Sequence, residues 1–180
     1  MKATGIVRRI DELGRVVIPK EIRRTLRFRE GDPLEIFTDK DGGVVLRKYS
    51  IMGDIEEHAK EFAESIHHTL GHTTVITDKD IVVAAAGKGK KDLVGKSLSK
   101  ELQKRIDSRR GILTDKKTKD MPIPIIEFDQ TEYNSQCILP ILGAGDVLGA
   151  VVVTSNDDSL SQVAYKNAET AAYFLGSQIE

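Results

Sequence analysis

Between Thr4 and Glu35 the chain reads TGIVRRIDELGRVVIPKEIRRTLRFREGDPLE, short β-branched runs cut by an acidic turn and then by a proline. Nothing in that stretch is long enough for a full helix or a broad strand, so it can build only a small domain of hairpins and one helical turn or two. It is also cationic. Met1 to Arg29 holds nine Lys or Arg against three Asp or Glu, a balance of +6, while the residues beyond Arg29 hold 18 basic against 25 acidic, or −7. The overall charge of −1 therefore conceals a basic head on an acidic body, an asymmetry that suggests a polyanion as the head's partner. DNA is the leading candidate.

The first fifty residues predict strand, strand, short helix, hairpin. Gly5 to Ile10 and Arg15 to Ile18 carry the β-branched residues of strands, and Asp11-Glu12-Leu13-Gly14 turns the chain between them. Pro19 cannot continue a sheet ladder but suits the first turn of a helix, so Pro19 to Leu26 is expected as a helix with Ile22 and Leu26 on one side. Leu34 to Phe37 and Val44 to Leu46 flank Asp41-Gly42-Gly43 as a hairpin. A domain near 50 residues without disulfide or metal is short of core, which implies an obligate dimer with interleaved hairpins.

Arginine presents a planar fork of donors that fits phosphate oxygens and guanine edges. Arg8 and Arg15 flank the first turn, Arg9 stands beside Arg8, and Arg23 and Arg24 follow on the short helix. The competing reading, a solvated charged face, is answered by the residues themselves. Gly5-Ile6-Val7-Arg8, Asp11 through Pro19 and Arg23-Arg24-Thr25-Leu26 resemble the DNA-binding domain of the AbrB family of bacterial transition-state regulators almost residue for residue. That resemblance implies a swapped-hairpin β-barrel formed by a dimer over residues 1–50. It also implies DNA contacts from arginines at positions 8, 15, 23 and 24, and a preference for the shape and flexibility of A·T-rich duplex over a strict base code.

Beyond Ser50 the periodicity changes. Ile55, Ala59, Phe62, Ile66 and Leu70 form an apolar seam along a helix expected from Gly53 to Leu70, which Gly71 stops. Ala164, Ala168, Ala171, Leu175 and Ile179 form a second seam on the last helix. The two seams are expected to pack together and to join subunits as a bundle. Between them, Thr73 to Thr77, Ile81 to Ala86, Cys137 to Leu142 and Val147 to Thr154 read as strands, with a helix near Ser97 to Arg109. This order, with the phrase GDVLGAVVV before the last helix, resembles a GAF domain, the small-molecule sensory fold. The expected fold class is thus α+β: the dimeric barrel, then over residues 51–180 a GAF-like domain whose antiparallel sheet is flanked by N- and C-terminal helices. The combination implies a homotetramer, two head dimers tied by the bodies.

Other signals carry less. Gly95-Lys96-Ser97 lacks the glycine that a phosphate-binding loop needs five places earlier, where Lys90 stands. His67, His68 and His72 have no Cys or acidic partner to complete a tetrahedral metal set. Cys137, the single cysteine, opens an apolar strand and reads as a small buried hydrophobe. Asp78 and Asp80, and Asp157 and Asp158, read as turn and cap residues. No nucleophile, base and orienter come together, so no enzyme, metal or cofactor is expected; the GAF resemblance allows a small-molecule ligand. No apolar run reaches the roughly 20 residues of a membrane helix, and no apolar segment follows Lys2 as a signal would. A cytoplasmic location is expected. The resemblances together imply a DNA-binding transcriptional regulator of developmental, sporulation-type gene expression, and the alternative is an antitoxin that uses the same kind of head.

Overall fold

A computed structural model describes residues 5–49, 55–117 and 119–179. The chain divides into two compact units, Met1–Tyr49 and Ser50–Glu180, each built in a different way.

In the head the Asp11 carboxylate organises the first turn. It accepts the backbone N–H groups of Leu13 (3.0 Å) and Arg15 (2.8 Å), and the Asp11 N–H donates to the Arg15 carbonyl (3.0 Å). Asp is suited to this because its short side chain reaches N–H groups two to four residues on. Helix α1, Lys20–Leu26, begins directly after Pro19 and ends on Arg27, whose φ of 58° is the left-handed conformation. Strands β1, Leu34–Thr38, and β2, Val44–Lys48, pair antiparallel. Their turn is held by Asp39, which accepts N–H bonds from Gly43 (2.6 Å) and Asp41 (3.1 Å).

The expected strands at 5–10 and 15–18 form no ladder within one chain. Their apolar side chains explain why: Val7 is 84% exposed and Val17 73%, and no residue from 5 to 49 is buried. A strand needs a partner, and these two have only each other across one turn. Ile22 and Leu26 likewise find no interior to enter, and α1 has no buried residue.

The body is a five-stranded antiparallel sheet in the order β4-β3-β7-β6-β5. Its strands are β3, Thr73–Thr77; β4, Val82–Ala86; β5, Ile112–Asp115; β6, Ser135–Gly143; and β7, Asp146–Ser155. Alternate residues of the central strands enter different cores. Cys137, Leu139, Val151 and Val153 face one, while Ile138, Ala150 and Val152 face the other. Burial on both faces is why β7 reads as a continuous apolar run and not as an alternating one. Gly149 is required there, because a Cβ would lie 1.8 Å from the Thr77 carbonyl oxygen.

Helices α2, Glu56–Leu70, and α5, Gln162–Ser177, cover the first face. The second is covered by α3, Lys90–Leu93, by α4, Lys100–Asp107, and by part of the 121–133 loop. The expected seams are therefore spent within the chain. Ala59, Ile66, Ala164, Ala168, Ala171 and Leu175 are buried in one core, and the Phe62 and Phe174 rings of the two helices lie 5.0 Å apart, so the two seams pack together as expected. Helix α2 ends on Gly71 at φ 74°; its expected first residue, Gly53, lies outside the described residues, as do Thr4 and Ser50. Strand β5 and helix α3 were not expected from the pattern, and α4 is shorter than 97–109. The cap of α5 is Ser161, whose hydroxyl accepts the Ala164 N–H, and not Asp157 or Asp158.

Candidate nucleic-acid interface

All five predicted arginines lie at the surface of the head. Arg8 and Arg9 precede the first turn and Arg15 follows it, so the hairpin geometry of Asp11 brings its two arms together. Arg15 is held in place: its Nε donates to Asp11 Oδ2 at 2.8 Å while the side chain stays 71% exposed. The bonds from the Arg15 backbone N–H and then its guanidinium hold the Asp11 carboxyl below its ordinary value. An exposed ion pair of this kind adds little stability, but it restricts a side chain that otherwise samples many rotamers. Arg8 is restrained more loosely, donating to the Val7 carbonyl at 3.1 Å.

Arg23 and Arg24 stand on α1. With Lys20 and Arg27 they fall at i, i+3, i+4 and i+7, one continuous stripe of a 3.6-residue helix. Lys20 and Arg27 extend the stripe beyond the expected Arg23 and Arg24, and the helical spacing in the sequence carries them. The guanidinium groups of Arg9, Arg23 and Arg24 have no ion pair among the described residues, which leaves their donors available to an incoming anion. Arg47 is occupied differently, with its guanidinium 5.1 Å from the centre of the Phe37 ring.

In the body, the other sequence signals are structural. Asp78 Oδ1 accepts the N–H groups of Asp80 (2.7 Å) and Ile81 (2.6 Å). His67 Nδ1 lies 2.9 Å from the His72 carbonyl oxygen, and no three His, Cys, Asp or Glu among the described residues are placed to hold a metal ion. Gly95-Lys96-Ser97 does not open a helix; Gly95 N–H donates to the Val82 carbonyl (2.8 Å), and the helix cap is Ser99, whose hydroxyl accepts the Leu102 N–H. Cys137 is fully buried and burial pushes its thiol up to about 12. A groove of about 320 Å³ runs beside Met121, Pro122, Ile123, Pro124, Thr131 and Tyr133. Asp129 ties the same loop together, accepting from the Ile125 N–H (3.1 Å) and the Tyr133 hydroxyl (2.8 Å).

Residues 54–180 match the family described as stage V sporulation protein T C-terminal, transcription factor. Over its full length the chain is 49% identical to stage V sporulation protein T of Bacillus subtilis, covering 99% of that protein. The chain belongs to the stage V sporulation protein T family. Its head matches a second family, the antidote-toxin recognition MazE family of bacterial antitoxins, over residues 7–53. It is also 63% identical over 49 residues to the transition state regulatory protein AbrB of Bacillus subtilis, a stretch covering 27% of this chain and 50% of that one. The body shares its fold with the GAF domain of an Acinetobacter phosphoenolpyruvate-protein phosphotransferase, with a TM-score of 0.56 at 14% identity, covering 68% of this chain and 80% of that one. No described helix is long and apolar enough to cross a membrane.

Proposed function

We propose that the protein is a DNA-binding transcriptional regulator of sporulation genes, acting through a dimeric head on duplex DNA. The observation that carries this is the exposed arginine set on a preorganised hairpin and helix, with Arg15 aimed by Asp11. Full-length likeness to a sporulation protein, in a family of transcription factors, supports it. Arg8, Arg9, Arg15, Arg23 and Arg24 are the contact residues in this reading, doubled across a two-fold axis. The exposed apolar side chains of the head become the interior of a swapped-hairpin barrel. The body joins two such dimers into a cytoplasmic tetramer, and its GAF-type fold takes a small-molecule ligand.

The test is a titration of a target promoter fragment at two salt concentrations. Arg15→Ala or Arg23→Ala is expected to cost about 1–3 kcal/mol where the fork reads a base edge, or chiefly to flatten the salt dependence where it meets phosphate. Unchanged binding in both variants refutes the assignment. For the assembly, light scattering of the full chain should give four chains per particle; two would refute the tetramer. The antitoxin reading is favoured only by the match of the head. The two-sided core of the body is unlike the short flexible tail with which such a chain would wrap a toxin.

A further inference from the structure

The acidic body hides a second concentration of positive charge. Residues 88–110 hold nine Lys or Arg against three Asp or Glu, the same balance as the first 29 residues. This segment is one structural layer, since Leu93, Leu98, Leu102 and Ile106 anchor it on the second face of the sheet. At about 100° per residue, Lys100 and Lys104 stand on the side of α4 opposite Leu102 and Ile106, and both are exposed. Lys90, Lys91 and Lys96 are exposed on the preceding turns. Across the sheet the sign reverses, for α2 carries Glu56, Glu57, Glu61 and Glu64 against Lys60.

Three nearby acids leave most of this layer unpaired: one serves Arg109, and the others lie with partners outside the layer. Asp146 is taken by Lys79 (2.9 Å) and Arg109 (3.4 Å), and Glu132 by Lys116 (3.0 Å). Asp129 is taken by the Ile125 N–H and the Tyr133 hydroxyl. Lys90, Lys91, Lys96, Lys100 and Lys104 have no ion pair among the described residues. Lys100 and Lys104 are, moreover, like charges at i and i+4, an arrangement that weakens an isolated helix. Two features narrow the partner. The layer contains no aromatic residue, and its cations are mostly lysine, which is depleted from the cores of protein interfaces. Single-strand binding wants stacking platforms that are absent from it. Lysine acts as a point charge without arginine's planar fork and suits contacts to phosphate, which carry no sequence information.

We infer that the 88–110 layer is a second DNA-contact surface, which binds the phosphate backbone of duplex outside the site recognised by the head. This rests on the head's binding duplex DNA. The test uses the full chain with Lys90, Lys91, Lys100 and Lys104 all changed to Gln, titrated from 50 to 200 mM salt on a promoter duplex of about 60 base pairs. Each lost phosphate contact lowers the slope of log K against log salt by about 0.9. The expected result is a slope smaller by at least about 2 and an affinity at 50 mM salt at least about tenfold weaker, with Lys100→Arg/Lys104→Arg behaving as the parent. An unchanged slope, in a variant with the parent's melting curve and oligomeric mass, overturns the inference. Arg15→Ala is run beside it. If Arg15→Ala and Arg23→Ala both bind as the parent while the lysine variant weakens, the head assignment fails and the layer stands; the reverse pattern removes the layer and leaves the head.

Discussion

Val7, Ile10 and Val17 of the head stand in solvent, whereas Val151, Val152 and Val153 of the body are each fully enclosed. The residue types are the same; what differs is whether one chain supplies both sides of the contact. The body has two layers of helix and loop to close its sheet, so its apolar residues are satisfied internally. The head has one short helix and a two-stranded hairpin, too few elements to enclose anything. Stability in the body is thus a property of the chain, and in the proposed dimer stability in the head is a property of the assembly.

Four measurements would break or sharpen that contrast. The largest effect is expected from Val17→Asp, which places an unpaired carboxylate in the proposed barrel at a cost of about 3–5 kcal/mol per subunit. DNA binding should be lost while the melting transition of the body is unmoved; a parent-like head would show that Val17 is not an interface residue. Leu102→Ala, in the second core of the body, should cost about 2–5 kcal/mol by chemical denaturation. Promoter binding by the still-folded fraction should not change. Asp129→Ala removes the acceptor of the Ile125 and Tyr133 bonds and should cost about 1–3 kcal/mol. Burial opposes the ionisation of Asp129, but the bonds from Thr131, Tyr133 and Ile125 outweigh it and hold its carboxyl below 3.8. Its stabilisation is therefore present above the unfolded value and lost as pH falls through the lower folded one, an acid limb that Asp129→Ala should lack. The smallest effect concerns Cys137. Its thiol should resist aromatic disulfide reagents at pH 8 until the body unfolds, and native stability should decline as pH rises from about 9 towards 12.

Much of this was legible in the sequence because local chemistry carried it. The Asp11 turn, the helix after Pro19, both seams and the long central strands follow from residue type and period. Other features depend on information that a single chain lacks or that averaging conceals. The segments at 5–10 and 15–18 have strand composition, yet a ladder needs a second set of N–H and C=O groups. Strand β5 is four residues long at the sheet edge and too short to show a period. The basic 88–110 layer vanished in the body's net charge of −5 (15 Lys or Arg against 20 Asp or Glu over residues 50–180), although its cations share one layer of the fold. The arginines of the head were visible as residues, but the bond from Asp11 that aims Arg15 was not.

In the proposed dimer, a head with nothing buried between residues 5 and 49 within one chain also ties its own existence to abundance. Folding that requires two copies becomes more complete as chains accumulate, so at low supply the arginine face is unassembled and the segment lies open to proteases. A rising rate of synthesis would then turn the regulator on with a threshold, before any ligand or partner is involved.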